Sequence, residues 1–279
     1  PGMTAEHPVD VEKFWKRGYQ IVPSVYTRDE IRDLRERVMA SKPHGGDLLS
    51  IALLRDVLLD GRLVGIARQI LGSDEIVYAG DSSFTINSGQ HGYHKDNADR
   101  TDKNAPDWQS RYTILRFGIY LQDHTKHTAG LNLRVRSHNH VPLTKGKNIY
   151  VRTRVGDVAV WSLRTSHSGN GTLLRFPWWV DDPAPEQDGT YPWYYRIAKK
   201  DGDRLAIFAA LGLDDAHHHR YVDYLKTRTY ICRMWGKSPY DADTLAAIER
   251  SPLIVRNVPA EIAGDPTVGQ NENWAPIPY

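Results

Sequence analysis

The chain has 279 residues, long enough for one sizeable core, and its 40% hydrophobic and 25% charged residues sit near the globular average, which argues against wholesale disorder. Lys and Arg total 36 against 34 acidic residues, a net charge of +2 scattered along the chain, so there is no nucleic-acid footprint; one cysteine, Cys232, excludes an internal disulfide framework and a Cys-rich zinc site. The first residues lack the basic start and apolar run of a signal peptide, and no stretch approaches the roughly 18 apolar residues of a membrane span. A cytoplasmic protein with a small-molecule partner, and neither nucleic acid nor membrane, is therefore expected; the oligomeric state is not legible.

The elements begin with a short helix carrying Val11, Phe14 and Trp15 and stopped by Gly18, then a strand over Tyr19–Val22 ended by Pro23. Thr27 followed by Glu30 has the capping-box pattern, and Ile31, Leu34 and Val38 recur at helical spacing behind it. A third helix is expected over 51–71, with Leu54, Leu58, Ile66 and Ile70 on its inner face and Gly72 near its end. From residue 75 the texture changes to short β-type runs at 75–79, 83–86, 111–122, 131–135, 148–152, 157–161 and 204–211, separated by turn residues such as Asn87-Ser-Gly89 and Gly156-Asp157. The pattern predicts a single domain over 1–279, mainly β with flanking helices, built as a double-stranded β-helix (a cupin-like jelly roll). Residues 175–200, rich in aromatics (Trp178, Trp179, Trp193, Tyr194, Tyr195), read as a lid-like insertion between core strands. Peripheral helices are expected at 214–226 and 242–249, and an extended tail from Pro259.

The chain's twelve histidines give several competing motifs. His94-Lys95-Asp96 puts an imidazole and a carboxylate two residues apart, and on an extended backbone such positions point the same way. With one more histidine they would form a 2-His-1-carboxylate set, which holds iron(II) on one face and leaves three positions open. The partner is His167, just past the end of the strand that begins at Gly156-Asp157. The competing motifs are weaker. His124/His127 lies in a turn, His138/His140 lacks a third ligand, and His217-His218-His219 on a helix points three ways, so a solvated face is expected there.

These residues, taken in order, resemble the phytanoyl-CoA dioxygenase-like family of iron(II)/2-oxoglutarate oxygenases. The likeness runs from about residue 10 to about residue 230. It covers the opening Phe14 to Pro23 and Thr27 to Ile31, the triplet His94-Lys-Asp96, and Tyr120-Leu-Gln-Asp123. It continues through Gly130 to His138, where Val135-Arg136 replaces the usual Pro-Gly, and through Gly156 to His167. The resemblance implies an enzyme in which His94, Asp96 and His167 hold Fe(II). 2-Oxoglutarate and O₂ would be consumed, succinate and CO₂ released, and a small metabolite or natural product hydroxylated, desaturated or cyclised. It also implies an arginine for the far carboxylate of 2-oxoglutarate, since a guanidinium meets a carboxylate with two parallel hydrogen bonds. Two residues compete for this task. Arg204 is favoured over Arg175 because it opens a run resembling the family's final core strand.

Thr85 and Gln90 are candidate polar liners of the same pocket, and Arg116 and Arg134 are candidates for an anionic group on the substrate, with Trp178, Trp179 and Trp193 closing over it. The alternatives are a cupin-like metal enzyme that does not use 2-oxoglutarate, and a non-catalytic jelly-roll binding module.

Overall fold

The computed structural model describes residues 7–42, 46–175, 181–187, 189–195, 198–200 and 202–275. Helix α1 (Val11–Arg17) is capped by the Asp10 carboxylate, which accepts from the Lys13 N–H, and ends on Gly18 in the left-handed region. β1 (Tyr19–Val22) follows, then α2 (Arg28–Ala40), whose start is the predicted capping box of Thr27 and Glu30. The single helix expected over 51–71 divides into α3 (Asp56–Leu59) and α4 (Arg62–Leu71), because Gly61 between them takes φ +88° and ends the helical path.

The β region comprises β2 (Ile76–Ile86), β3 (Ile114–Tyr120), β4 (Gly130–Val135), β5 (Lys147–Val151), β6 (Val158–Ser162), β7 (His167–Gly171) and β8 (Leu205–Gly212). The C-terminal part adds α5 (Ala216–Thr227), α6 (Thr229–Lys237), α7 (Ala242–Glu249), the short β9 (Leu253–Ile254) and α8 (Val258–Glu261). Four of these were not expected. β7 is Gly, Ser and Asn at all but one of its positions, without a strand's composition; α6 was not distinguished from its surroundings; β9 is only two residues long; α8 continues past Pro259, where Pro sits in the first turn and needs no N–H. The two runs at 75–79 and 83–86 are one strand, β2, with a bulge at Ala79-Gly80-Asp81 that shifts its register against β8.

Two sheets result. The larger has the order β1-β6-β3-β8-β2-β9, antiparallel except for the β2–β9 edge, and the smaller has the order β5-β4-β7. Strand alternation gives the larger sheet two distinct faces. Leu115, Phe117, Ile119, Val158, Val160, Leu205, Ile207 and Leu211 point outward onto Phe14, Ile31, Leu34, Leu58, Leu63 and Ile66 of the N-terminal helices. Tyr19, Tyr120, Ala159, Trp161 and Ala206 point inward and meet Leu131, Leu133 and Val151 of the smaller sheet. The inward face mixes small with large residues, and the small ones make room for the large: a Cβ at Gly118 would lie 3.0 Å from the Trp161 ring.

The architecture is mixed α/β rather than mainly β, because α5, α6 and α8 add a second helical layer around Tyr221, Leu225 and Trp235, while α7 packs Ile248 on the main core. The closed jelly roll that the sequence predicts is not seen as a continuous ladder. Among the described residues the two sheets share no hydrogen-bonded strand pair. No helix among them is long and apolar enough to cross a membrane.

Gly18 joins α1 to the sheet at φ +84°, and a Cβ there would lie 2.2 Å from Nδ1 of the buried His138. Gly18→Ala is therefore expected to cost at least about 2 kcal/mol, from left-handed strain plus the clash. Denaturant unfolding of the two proteins measures it, and equal midpoints would refute the packing described.

Candidate metal centre

The chain segment before β3 runs antiparallel to the start of β7. His94 and His167 face each other as a hydrogen-bonded pair: His94 N–H donates to His167 O at 3.0 Å and His167 N–H to His94 O at 2.9 Å. Residues exchanging both bonds project their side chains to the same side, and the two imidazole centroids lie 4.2 Å apart. Two residues on, the Asp96 N–H donates to Leu163 O, which returns the Asp96 side chain to the same side as His94. His94 Nε2 lies 3.8 Å from Asp96 Oδ1, and His167 Nε2 lies 3.3 Å from Asp96 Oδ2. One ligand atom from each of the three falls within 4.8 Å of the others.

The donor chemistry fits a divalent transition metal. His94 Nδ1–H donates to Gly92 O and His167 Nδ1–H to Thr165 O, both at 3.0 Å. Each bond fixes the tautomer that leaves Nε2 bare and oriented, the arrangement found behind metal-bound histidines. Burial pushes the His94 imidazole down to about 4, with His167 beside it contributing, so this ring is neutral near pH 7. Burial alone would raise the Asp96 carboxyl, but the adjacent His167 and Arg116 outweigh it and hold the group well below the usual carboxylate range. Two imidazoles and one ionised carboxylate therefore converge on one point.

They lie in the wall of a cavity of about 250 Å³ between the sheets. One side is formed by Thr85, Gln90, Tyr120, Leu131, Trp161, Phe208 and Arg204, and the other by Asp81, Ser83 and Arg116 with Tyr230, Ile231 and Met234 of α6. Arg204 sits in register with the inward residues Ala206 and Phe208 and is 2% exposed. Its Nε donates to Ala129 O and its Nη1 to Thr85 Oγ1 and Ser88 O, while Nη2 has no hydrogen bond among the described residues. A buried guanidinium anchored on one side, with one nitrogen unengaged on a cavity wall, suits a carboxylate ligand. The residues present thus fit both the metal and the keto acid.

The remaining candidates divide. Thr85 supports Arg204, and Gln90 lines the cavity and accepts from Gly169 N–H through its carbonyl. Arg175 is exposed and outside the cavity lining. Arg116 lines the cavity, but its charge is engaged by Asp81 and Asp96, so it is not free to hold a substrate anion. Arg134 points elsewhere, with its guanidinium over the Tyr93 ring, 3.9 Å from Glu186 and donating to Gly146 O. Trp178 and Trp179 fall outside the described residues, and Trp193 begins a single helical turn, Trp193–Tyr195. Of the residues of 175–200 whose side chains are described, none lines the cavity.

Asp81 and the α6 residues were missed. The Gly80-Asp81 pair inside an apolar strand was the available sign of a bulge, and nothing local tied α6 to the metal.

The His217–His219 run is not a solvated face. His217 and His218 are buried, His217 stacking on Tyr112 and sharing a hydrogen bond with Ser110 Oγ, because α5 packs its first turn against the core.

No family model matches the chain, and no curated protein matches it in sequence. Solved structures do match its fold. HygX from Streptomyces hygroscopicus, with nickel and 2-oxoglutarate bound, aligns at TM-score 0.53 and 14% identity over 76% of this chain and 88% of that one. AviO1 from Streptomyces viridochromogenes Tue57 aligns at 0.51 and 16% over 77% and 98%. The non-heme alpha ketoglutarate dependent carbocyclase SnoK from nogalamycin biosynthesis aligns at 0.50 and 16% over 79% and 93%. The fold is that of the non-haem iron, 2-oxoglutarate-dependent enzymes. HygX has also been solved with nickel, 2-oxoglutarate and hygromycin B together.

Two further histidines away from the centre, His124 and His138, are 1% and 2% exposed, and burial pushes each down to about 4. Unfolding returns them to about 6.5, so the unfolded chain binds more protons between those values. The metal-free protein is expected to be fully stabilised above about pH 6.5 and to lose roughly 1–3 kcal/mol per histidine as pH falls toward 4. Denaturation midpoints from pH 7 to pH 5 measure the loss, and His138→Gln should flatten the slope. A slope unchanged by that substitution would rule out its buried, neutral role.

Proposed function

We propose that the chain is an Fe(II)/2-oxoglutarate-dependent oxygenase acting on a small molecule of the natural-product kind. The observation that carries the reading is the convergence of His94, Asp96 and His167 on one cavity whose wall also holds the buried, partly engaged Arg204. Bound together, iron(II) and 2-oxoglutarate supply an O₂-dependent oxidation of a C–H bond, with succinate and CO₂ as by-products.

The residues have distinct tasks in this reading. The two Nε2 atoms and one Asp96 oxygen hold the metal, and Arg204, steadied by Thr85, receives the far carboxylate of the keto acid. Tyr120, Leu131, Trp161 and Phe208 exclude water around that acid. Asp81, Ser83, Tyr230, Ile231 and Met234 form the side left for substrate. The charged side chains lining the cavity are Asp81, Asp96, Arg116 and Arg204; Asp81 and Arg116 are already paired, and Asp96 and Arg204 would be balanced by metal and keto acid. The part of the substrate that reaches the metal is therefore uncharged. HygX with its bound hygromycin B supports a natural-product-sized substrate on this fold. The single domain, the closed jelly roll of the phytanoyl-CoA dioxygenase-like family, and a lid formed by 175–200 belong to the same proposal.

Anaerobic addition of Fe(II) and 2-oxoglutarate is expected to produce a weak visible charge-transfer band, which His94→Ala and Asp96→Ala abolish. A band that survived both substitutions would remove these ligands from the site. Arg204→Ala should weaken 2-oxoglutarate binding by about tenfold or more, as loss of a charge-assisted pair of about 1.5–3 kcal/mol implies, while Arg175→Ala leaves it unchanged. The reverse order would transfer the anchor to Arg175. Turnover without succinate would favour a metal enzyme that does not use the keto acid.

A further inference from the structure

We infer that Arg116, clamped by Asp81, is a positioning residue that restrains Asp96 to offer the metal one oxygen rather than two. The inference deepens the proposed function and rests on its assignment of Asp96 as a ligand.

Two local features of the chain bring the three side chains together. Arg116 lies on β3 in the alternation that sends Gly118 and Tyr120 inward, and it pairs with Trp161 on one side and Ala210 on the other. Asp81 reaches it only because β2 is bulged. The register slips between Tyr78 and Ser82, Gly80 takes φ +76°, and the next side chain is re-aimed across the sheet. Trp235 of α6 packs against this bulge, 3.2 Å from where a Gly80 Cβ would stand, and leaves little room for the strand to straighten.

Arg116 Nη2 then donates to Asp81 Oδ2 and, at 3.0 Å, to Asp96 Oδ2. The Tyr221 hydroxyl of α5 donates to the same Asp81 oxygen at 2.8 Å. Arg116, Asp81 and Tyr221 are all nearly inaccessible to solvent.

A carboxylate can hold a metal through one oxygen or two, and two would consume a position that a three-ligand site leaves open. A guanidinium bonded to Oδ2 occupies lone-pair space on that oxygen and leaves Oδ1, on the His94 side, as the better donor. Arginine alone would place an uncompensated buried cation beside a dication. Asp81 removes that penalty and sets the direction of the fork, and Tyr221 in turn sets Asp81. A plain buried ion pair reaching across β8 from β2 to β3 would brace the sheet equally well without touching Asp96. The bond to the ligand's oxygen is what separates positioning from simple bracing of the sheet.

The test uses the full chain, made anaerobic, with Fe(II) alone and then with 2-oxoglutarate. Metal affinity, keto-acid affinity and the visible band are read for the wild type, Arg116→Met, Arg116→Lys and Asp81→Asn, with circular dichroism to confirm folding. Arg116→Met is expected to keep Fe(II) binding, to weaken 2-oxoglutarate by at least the factor of about ten that corresponds to 1.4 kcal/mol, and to shift or lose the band. Arg116→Lys should recover part of both, and Asp81→Asn should fall between Arg116→Met and the wild type.

Wild-type keto-acid affinity and band in folded Arg116→Met would overturn the inference while leaving the proposed function standing. If that variant fails to fold, wild-type behaviour in both Arg116→Lys and Asp81→Asn overturns it instead. A wild-type protein with no band at all would overturn the proposed function, and this inference with it.

Discussion

The two backbone hydrogen bonds exchanged by His94 and His167 organise the centre of this molecule. Seventy-odd residues separate them in sequence, yet once that pair forms, strand geometry fixes the rest. The two imidazoles fall on one side of the backbone, and Asp96, two residues on, returns to that side. The carbonyls of Gly92 and Thr165 then orient the rings through Nδ1. None of the three side chains needs an unusual conformation to reach the others; the backbone pairing brings them together.

Charge is arranged around this pair with the same economy. Asp96 stays ionised although burial opposes it, because His167 and Arg116 lie beside it. Arg116 is balanced by Asp81, so the far side of the centre carries a closed buried network. Lys95, between His94 and Asp96 in sequence, points the opposite way. Its ammonium donates to the carbonyls of Ser137 and Arg164, tying this segment to the loops behind it. The segment is thus held from both faces, the condition for a site that keeps its geometry when empty or occupied.

The helical layers serve this centre unequally. α1 to α4 cover the outward face of the larger sheet and make the main core. α6 reaches the cavity itself through Tyr230, Ile231 and Met234, and α5 stands behind it, its Tyr221 holding the lining residue Asp81. Part of the cavity wall is therefore built from the C-terminal part of the chain.

Sequence alone determined what depends on neighbours a few residues away. The capping box at Thr27, the strands at Tyr19–Val22 and 204–211 and the shared direction of His94 and Asp96 are all local rules, and the fold repeats them. The position of Arg204 among the inward residues is set by the pairing of that strand in the larger sheet. What the tertiary structure decided is whatever depends on a partner remote in the chain. Arg116 reads as a free cation in sequence and is a neutralised one in space, because a bulge at Gly80 brings Asp81 to it. The buried His217 and His218 and the α6 wall likewise depend on how a helix docks, and the long helix expected over 51–71 is divided at Gly61. Backbone periodicity says which way a side chain points, but only packing says what it meets there.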